Sequence, residues 1–548
     1  MGEDIRVIVG LDFGIKYSSF AYAHILSSNN IIVHDQWQGM SGSFRNPTVL
    51  KYDESFNLIS WGYSALSRRK KNSNIKLVEN FLLCLSRMDN YPPLPNGLSY
   101  KQAITDYLRE MRGLIEETIN SCYPGIDFYR HILFVMPVST EYDEKANDIM
   151  RACAHNADII SYKNSSRLVF ITKHEANSFY CINTNLNESN ISVGTSFMVV
   201  DCGNNTIDIT TQNIFEDKKF GDITGKIVDY CGGNFVDDEF IKFVGRKVGL
   251  SAIDLFRSNH YDQFQYMVKK FCERVKFQFT GQQKDFNPPD LDFYELCPAI
   301  EQYVKDSERE QLENQDWIIE LKFEDVKAMF DPVIERILHL IRSQLYIIND
   351  CEAIFLVGEF SQSNYLQARI KQEFSQIINI PTNPLSVIVK GAVQYGLMYN
   401  EPDELNMHRL VIASRVFNKT YGIKVTRKWN HGDPIERKLS DGMINIFLRI
   451  AKRGDEIPIN TGISMIFSSS FISRNGLDLF VTNEYDVKYC DSPEVSLLNK
   501  LRINAAILSK KDAISITLIF DNMKIKVIAQ NVKTDCKYET ELDIGLNF

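Results

Sequence analysis

The chain has 548 residues, 44% of them hydrophobic, so it can bury several cores, and its length favours about three or four domains. Its formal net charge of -9 at pH 7 argues against broad nucleic-acid binding. Eleven scattered cysteines form no C-x-x-C pair, which argues against a disulfide scaffold or a zinc site. No run reaches the roughly 20 apolar residues of a membrane helix, and no secretory signal opens the sequence, so we expect a cytoplasmic protein.

Residues 5 to about 60 are predicted to form strands broken by turns. Within them, residues 7–23 read VIVGLDFGIKYSSFAYA, in which an apolar strand leads through Asp12 and Gly14 into a polar turn and a second strand. Residues 75–122 are predicted to be helical, with an amphipathic core helix at their end. Its apolar residues at spacings of three and four are Ile104, Leu108, Met111, Ile115 and Ile119.

A second copy of this strand-turn-strand phrase, FMVVDCGNNTIDITTQN, occupies residues 197–213 and opens a second lobe. Glycine reaches positive φ and carries no Cβ, so backbone N–H groups in such turns can face one phosphate. Two turns can therefore hold one polyphosphate between them. Asp12 and Asp201 would repel phosphate directly, so we expect them to hold a magnesium ion through water. The two phrases together predict a nucleotide clamp.

Farther along the chain, the sequence has two glycine-containing turns and then a change in the spacing of its apolar residues. Gly232 and Gly233 precede a predicted helix and suit a phosphate or ribose contact. Residues 352–374 form an apolar strand that runs into Gly358 and then a helix, as in a turn that approaches a nucleoside. Beyond the polar segment 401–410, apolar residues alternate with polar ones in about seven short runs, which predicts a small antiparallel β-sandwich.

These motifs, in this order, resemble the actin, hexokinase and heat-shock ATPase superfamily. Residues 269–281, KKFCERVKFQFTG, are similar to the adenine-binding helix of the DnaK-type seventy-kilodalton heat-shock family, and residues 171–180 are similar to its connecting region. The chain fits best the divergent type-12 branch of that family. The resemblance implies an α/β actin-like two-lobed ATPase domain with ribonuclease H-like repeats, followed by an all-β sandwich. The expected domains are lobe I at 1–196, lobe II with a helical subdomain at 197–400, and the sandwich at 401–548.

The resemblance also implies a ligand, ATP or ADP with magnesium, and a set of site residues. The expected metal-side residues are Asp12, Glu175 and Asp201. The expected catalytic residues are Glu175, Thr206 and Asp208. The residues expected to contact the nucleotide are Gly10, Asp12, Gly14, Ile15, Lys16, Tyr17, Asp201, Gly203, Asn204, Asn205, Thr206, Gly232, Gly233, Glu273, Lys276, Phe277, Thr280, Gly358, Glu359 and Phe360.

Several of these positions depart from the family pattern. Ile15 and Lys16 stand where the family has two hydroxyl residues, and Lys16 can supply a point charge instead. Asn204 and Asn205 replace two glycines, and asparagine is the residue best able to adopt positive φ in their place. Residues 80–82 read Asn-Phe-Leu where a catalytic lysine is expected, and loss of one such group typically costs about 10² to 10³ in rate.

Two departures lie on the adenosine side. Phe277 stands where the family has an adenine-stacking arginine, and an aromatic ring can also stack there. Glu359 replaces a second glycine of the nucleoside turn. Its carboxylate either lies near the like charge of the phosphates or turns outward to pair with a cation. In the first case, which we expect, Glu359→Gly tightens ATP binding by up to about 1 kcal/mol.

The function predicted from these features is an ATP-binding, heat-shock-chaperone-like protein with slow or absent hydrolysis. Its lobe closure would be coupled to a C-terminal β-sandwich that binds a polypeptide client or signalling partner. The sequence stops at Phe548 without a helical lid, so lid-driven trapping is not expected. One alternative is a nucleotide-sensing adaptor that does not hydrolyse ATP. A further alternative is a small-molecule kinase of the same superfamily, which would need an acceptor pocket with an aspartate base.

Overall fold

The architecture is known from a computed structural model, and no helix of the residues it describes is long and apolar enough to cross a membrane. The eleven cysteines are free thiols, as expected. The described residues are 4–66, 75–85, 93–139, 142, 144–185, 194–215, 219–223, 226–288, 290–348, 350–399, 411–417, 419–458, 461–468, 477–501, 513–520 and 524–543.

The first lobe is built on a mixed sheet. Val7–Phe13 pairs antiparallel with Tyr17–His24 on one side and parallel with Ile132–Val138 on the other. Ile132–Val138 pairs parallel with Leu168–Thr172, so three parallel strands place their carboxyl ends at one edge of the sheet. The other strands are Ile32–Val33, Gln36–Trp37, Met40–Ser41, Asn46–Pro47, Val49–Tyr52, Leu58–Trp61 and Lys76–Glu79, and the helices are Gly62–Leu66, Tyr100–Cys122, Phe128–His131, Glu144–Asn156 and Lys173–Asn185.

The second lobe repeats this order. Ser196–Cys202 pairs antiparallel with Ile207–Phe215 and parallel with Cys351–Val357, which pairs parallel with Ile377–Asn379. The two mixed sheets confirm an α/β chain with an internal repeat. The other strands of the second lobe are Lys219–Asp222, Ile227–Asp229, Leu291–Asp292 and Ile318–Ile319, and the helices are Asn234–Val248, Leu250–Asn259, Tyr261–Phe271, Phe293–Leu296, Asp306–Glu313, Phe323–Ile347, Asn364–Glu373 and Val387–Tyr399.

Two helices join the two sheets. Lys173–Asn185 and Val387–Tyr399 contribute to one apolar core that contains residues of both lobes. A Cβ on Gly391 would lie only 1.8 Å from the carbonyl oxygen of Ala176, so the two helices touch backbone to backbone at this point. This close contact fixes the positions of the two sheets relative to each other. Buried members of the shared core include Ile8, Val135, Phe179, Phe197, Val199, Phe355, Val389 and Val393.

The C-terminal region begins, within the described residues, as a strand of the second lobe. Val411–Val416 pairs parallel with Lys219–Asp222 and antiparallel with Glu456–Pro458, and both join the second-lobe sheet. The expected boundary at residues 196 and 197 falls inside Ser196–Cys202, whereas segment 401–410 lies outside the described residues. The three expected domain ranges stay a prediction.

Two four-stranded antiparallel sheets form the rest of the C-terminal region. The first has Met443–Ala451, Thr420–Lys428, Leu477–Thr482 and Val495–Leu501 in spatial order. The second has Gly462–Ser468, Ala513–Phe520, Lys524–Asn531 and Lys537–Asp543 in spatial order. Buried residues of both sheets belong to one apolar cluster. The period-two pattern is confirmed in one strand by the buried side chains of Ile514, Ile516, Leu518 and Phe520.

The prediction of a helix over residues 75–122 is wrong in its first part. Lys76–Glu79 is a strand that pairs antiparallel with Val49–Tyr52, and a 3-10 turn follows at Phe81–Leu85. Leu77 is exposed while Val78 is buried, which is the alternation of a strand rather than of a helix. The helix itself is confirmed from Tyr100 to Cys122, and all five of its expected core residues are buried.

The contact between the bridging helices yields a stability prediction. Gly391→Ala should destabilise the protein by about 1–3 kcal/mol or more, because the new methyl group overlaps the Ala176 carbonyl and the helices must separate. Urea unfolding followed by circular dichroism measures the change. The matched control is Gly113→Ala, at an exposed position of a long helix with nothing within 4 Å, where stability should rise by up to about 1 kcal/mol. Equal behaviour of the two variants would show that the helices adjust without cost.

Candidate functional site

The two Asp-x-Gly turns have the same local geometry. A Cβ on Gly14 would lie 2.4 Å from the carbonyl oxygen of Tyr17, and a Cβ on Gly203 would lie 2.8 Å from that of Thr206. In each turn the glycine therefore lets the chain fold back on the carbonyl three residues later. The first turn is also held by Thr48, whose hydroxyl donates to the Gly14 carbonyl at 2.7 Å.

The physical reason expected for these glycines needs correction. Gly14 and Gly203 do not have positive φ, and neither do Asn204 and Asn205. The turns need glycine because a side chain has no room. The asparagines are therefore accommodated without the strain that positive φ would cause.

The other glycines of the site pack against the second turn. Gly358 has a φ of +82°, and a Cβ there would lie 2.3 Å from an oxygen of Asp201. A Cβ on Gly232 would lie 2.4 Å from the carbonyl oxygen of Asn204. The backbone N–H of Gly233 donates to the Gly203 carbonyl at 3.0 Å. The structure thus brings the second Asp-x-Gly phrase, the glycine pair and the nucleoside turn into one place.

A lysine lies between the two turns. The Lys173 ammonium lies 2.8 Å from an oxygen of Asp12, and a Cβ on Gly14 would be 3.7 Å from it. Burial would lower the pKa of this ammonium, but the negative charge of Asp12, supported by Asp201 and Asp208, outweighs burial and raises it. Lys173 is therefore charged, and its charge interacts with aspartates of both lobes.

The second-lobe aspartates have partners of their own. Asp201 accepts a hydrogen bond from Asn177 at 2.9 Å, while burial and the neighbouring charge of Asp208 raise its pKa to about 6. Asp208 forms an ion pair with Lys226 at 2.7 Å and accepts a hydrogen bond from Thr206 at 3.2 Å. Thr206 and Asp208 are thus in contact with each other, as a shared role would require.

Each residue expected to hold magnesium through water has a protein partner, and that expected role stays a prediction. Glu175 is buried and accepts two hydrogen bonds from Thr172, from the backbone N–H and from the hydroxyl, both at 2.8 Å. Asp12 is paired with Lys173, and Asp201 is bonded to Asn177. Among the described residues, no group of three or more His, Cys, Asp and Glu side chains could hold a metal. The donor set therefore does not fit a metal bound directly by the protein.

Glu359 adopts the second of its two alternatives. Its carboxylate pairs with Arg45 of the first lobe and accepts a hydrogen bond from Asn204 of the second. Burial would raise the pKa of Glu359, but Arg45 and Asn204 outweigh burial and lower it. The Arg45 guanidinium also lies 3.9 Å above the ring of Tyr17. The tightening of ATP binding expected for Glu359→Gly assumed that the carboxylate lies near the phosphates. The pairing with Arg45 removes the reason for that expectation.

The residues expected on the adenosine side include one exposed and one buried residue of the same helical turn. Helix Tyr261–Phe271 ends in a π-helical turn, Cys272–Lys276, which carries two of them. Glu273 is exposed and pairs with Lys270 at 2.8 Å. The buried Lys276 pairs with Asp237 at 2.7 Å.

The aromatic and hydroxyl residues expected near the adenosine lie around this turn. The Lys276 ammonium lies 5.7 Å from the ring centres of Phe277 and Phe360. Phe360 is fully buried, and a Cβ on Gly233 would lie 3.2 Å from its Cβ atom, so Phe360 packs beside the glycine pair and Lys276. Thr280 accepts a hydrogen bond from the backbone of Gln282 at 3.2 Å.

The first-lobe residues expected to contact the nucleotide also pack against the protein, and their contact with a ligand stays a prediction. A Cβ on Gly10 would lie 2.5 Å from the carbonyl oxygen of Val389, so Gly10 provides space for a bridging helix. Ile15 packs against the first-lobe core. The burial of Tyr17 raises the pKa of its phenol to about 12. Lys16 is half-buried at the turn, and its backbone carbonyl accepts from Thr48 at 2.9 Å.

The place expected to carry a catalytic lysine belongs to the core. Phe81 and Leu82 are buried in the first-lobe cluster. Just before them, Glu79 accepts a hydrogen bond from Tyr261 of the second lobe at 3.1 Å. This segment therefore contacts the second lobe through Glu79 and packs into the first-lobe core through Phe81 and Leu82.

Two important residues were missed in the sequence. Lys173 directly follows Leu168–Thr172, one of three parallel strands, and the carboxyl ends of parallel strands meet at the edge where Asp12 lies. The order of the parallel strands was thus enough to indicate that Lys173 lies near Asp12. Arg45 lies in a loop far along the chain from Glu359, and nothing in either segment indicates the pairing.

Two known proteins are similar to this chain in sequence along its whole length. Heat shock 70 kDa protein 12A of Mus musculus and that of Homo sapiens are each 21% identical to this chain over 637 aligned residues. Each alignment covers 100% of this chain and 92% of the relative. The resemblance to the type-12 branch of the seventy-kilodalton heat-shock family is confirmed.

Other comparisons add little to this. No family model matches the chain. A solved structure described as MreB5 of Spiroplasma citri bound to ADP overlaps 72% of this chain and 98% of its own, with a TM-score of 0.46 and 12% identity. An overlap at this level does not establish a shared fold or ligand.

The Arg45–Glu359 pair leads to a prediction about stability. Glu359→Gln should destabilise the protein by about 1–3 kcal/mol, because the guanidinium of Arg45 stays largely buried without its counter-charge. Urea unfolding measures the loss. The control is Glu239→Gln, which removes an exposed ion pair with Lys242 and should have little effect. If both variants unfold alike, the bridge between the lobes contributes nothing to stability.

Asp201 leads to a prediction about pH. Its folded pKa of about 6 lies above the ordinary value of 3.8, so the folded state holds the proton more tightly than the unfolded state. The stability it contributes is present below pH 4 and is lost as pH rises through about 6. Unfolding measured at a series of pH values should therefore show the stability of Asp201→Asn rising relative to wild type. The expected gain is up to about 2 kcal/mol between pH 4 and pH 6. A constant difference across the range would mean that Asp201 titrates normally.

Proposed function

We propose that the chain is an adenine-nucleotide-binding, heat-shock-chaperone-like protein that binds ATP or ADP between two actin-like lobes and hydrolyses ATP slowly or not at all. One observation carries this proposal: two turns of the same geometry, one from each lobe, bring Asp12 and Asp201 close to the same ammonium, that of Lys173. The similarity to heat shock 70 kDa protein 12A along the whole chain supports it.

Slow hydrolysis follows from the composition of the site. The apolar side chains of Phe81 and Leu82 lie in the first-lobe core, so they offer no cation to stabilise charge in the transition state. Removal of one such group lowers rates by about 10² to 10³. Thr206 and Asp208 remain together and can still orient a water molecule.

The proposal includes closure of the lobes and coupling to the C-terminal region. Arg45–Glu359 and Glu79–Tyr261 each join the first lobe to the second across the proposed cleft, which suits a closed state. Val411–Val416 belongs to the second-lobe sheet, so movement of that lobe would be transmitted to the two C-terminal sheets. Those sheets, arranged as a β-sandwich, would then bind a polypeptide client or signalling partner.

The second candidate is a nucleotide-sensing adaptor that never hydrolyses ATP. The observation that favours it is the Arg45–Glu359 pair, since an ion pair between lobes can hold the cleft closed without chemistry. The two candidates share nucleotide binding and differ only in turnover. A phosphate-release assay separates them.

The test is equilibrium binding of a fluorescent ADP. Wild type should bind it, and Gly14→Ala or Gly203→Ala should each weaken binding at least about tenfold, because a methyl group displaces the turn that presents its backbone to phosphate. The control is Gly432→Ala, where nothing lies within 4 Å.

Phosphate release should be at least about two orders of magnitude slower than that of a typical DnaK-type domain. Turnover at the typical rate would show that another cation has taken the role of the missing lysine. Lack of any ADP binding by wild type would contradict the proposed function as a whole.

A further inference from the structure

The Lys173 ammonium lies where the two lobes bring their acidic residues together. It is 2.8 Å from Asp12, and its charge is also felt by Asp201 and Asp208. The side chain is 31% exposed, so it is reachable from the cleft rather than enclosed in a core. The contact with Asp12 is an ion pair, since the contacted oxygen, Oδ1, accepts no hydrogen bond, and an ammonium has three N–H groups with which to bind other oxygens.

The balance of charge shows why a cation is needed here. Asp12, Asp201 and Asp208 would repel a polyphosphate, and Lys226, which pairs with Asp208 at 2.7 Å and also acts on Asp201, offsets only part of this negative charge. In a nucleotide site, a divalent cation usually supplies the missing positive charge and bridges carboxylate to phosphate. Here Asp12 is ion-paired with Lys173, Asp201 is bonded to Asn177, and the charge of Lys173 also interacts with Asp201 and Asp208 of the second lobe.

We propose that Lys173 replaces the divalent cation, so that this chain binds the phosphates of its nucleotide without a metal ion. The inference rests on the proposed nucleotide binding and specifies its chemistry. Lys173 pairs with Asp12 and donates N–H groups to phosphate oxygens, as a point charge on a flexible stem can do. It begins helix Lys173–Asn185, where the positive end of the helix dipole adds to the same effect.

The experiment measures binding of N-methylanthraniloyl-ADP in a buffer with EDTA and in one with millimolar magnesium. Wild type should show dissociation constants within about threefold of each other, because the positive charge is already present. Lys173→Ala should weaken binding in EDTA by at least about thirtyfold, and magnesium should restore at least about tenfold of that loss. Lys173→Arg keeps the charge and should retain binding in EDTA.

The matched control is Lys163→Ala, which removes an exposed lysine of the same lobe, 3.8 Å from Asp148, and should bind ADP equally in both buffers. Circular dichroism checks that each variant folds. A wild type that loses more than about tenfold of its affinity in EDTA would overturn the inference and leave nucleotide binding intact. So would an equal loss in both buffers for Lys173→Ala. A wild type that binds in neither buffer would overturn the proposed function itself, and the inference with it.

Discussion

The backbone contact between Gly391 and Ala176 determines where the two halves of the site meet. Each residue lies on a helix that bridges the two sheets, and a side chain at Gly391 would push those helices apart. Lys173 lies one turn before Ala176 on the same helix, so the close approach also positions the ammonium between the two Asp-x-Gly turns. The position of the Lys173 charge therefore depends on the close packing of two helices in an apolar core.

Charge is distributed so that each acid of the cleft has a partner from a different segment. Asp12 meets Lys173, Asp208 meets Lys226, and Glu359 meets Arg45 from the opposite lobe. Burying a carboxylate is costly unless a cation or a hydrogen-bond donor accompanies it.

Local sequence patterns predicted the repeat, the long amphipathic helix and the residues of the two turns. They predicted the glycines for an incorrect reason, since Gly14 and Gly203 are required by space rather than by positive φ. Lys173 could have been found by following the order of parallel strands to their shared edge. The partner of Glu359 could not, because contact with Arg45 depends on how two lobes close and leaves no periodic trace.

The end of the second-lobe sheet has a consequence for the solubility of shortened chains. Glu456–Pro458 is the edge strand at one end of this sheet, and proline lacks the N–H that a further strand would need. Removal of everything after Tyr399 would take away Val411–Val416 as well and leave Lys219–Asp222 as a bare edge. Such an edge is a template for intermolecular strand pairing, so the lobes expressed alone would self-associate more readily than the longer chain, in which this edge is covered.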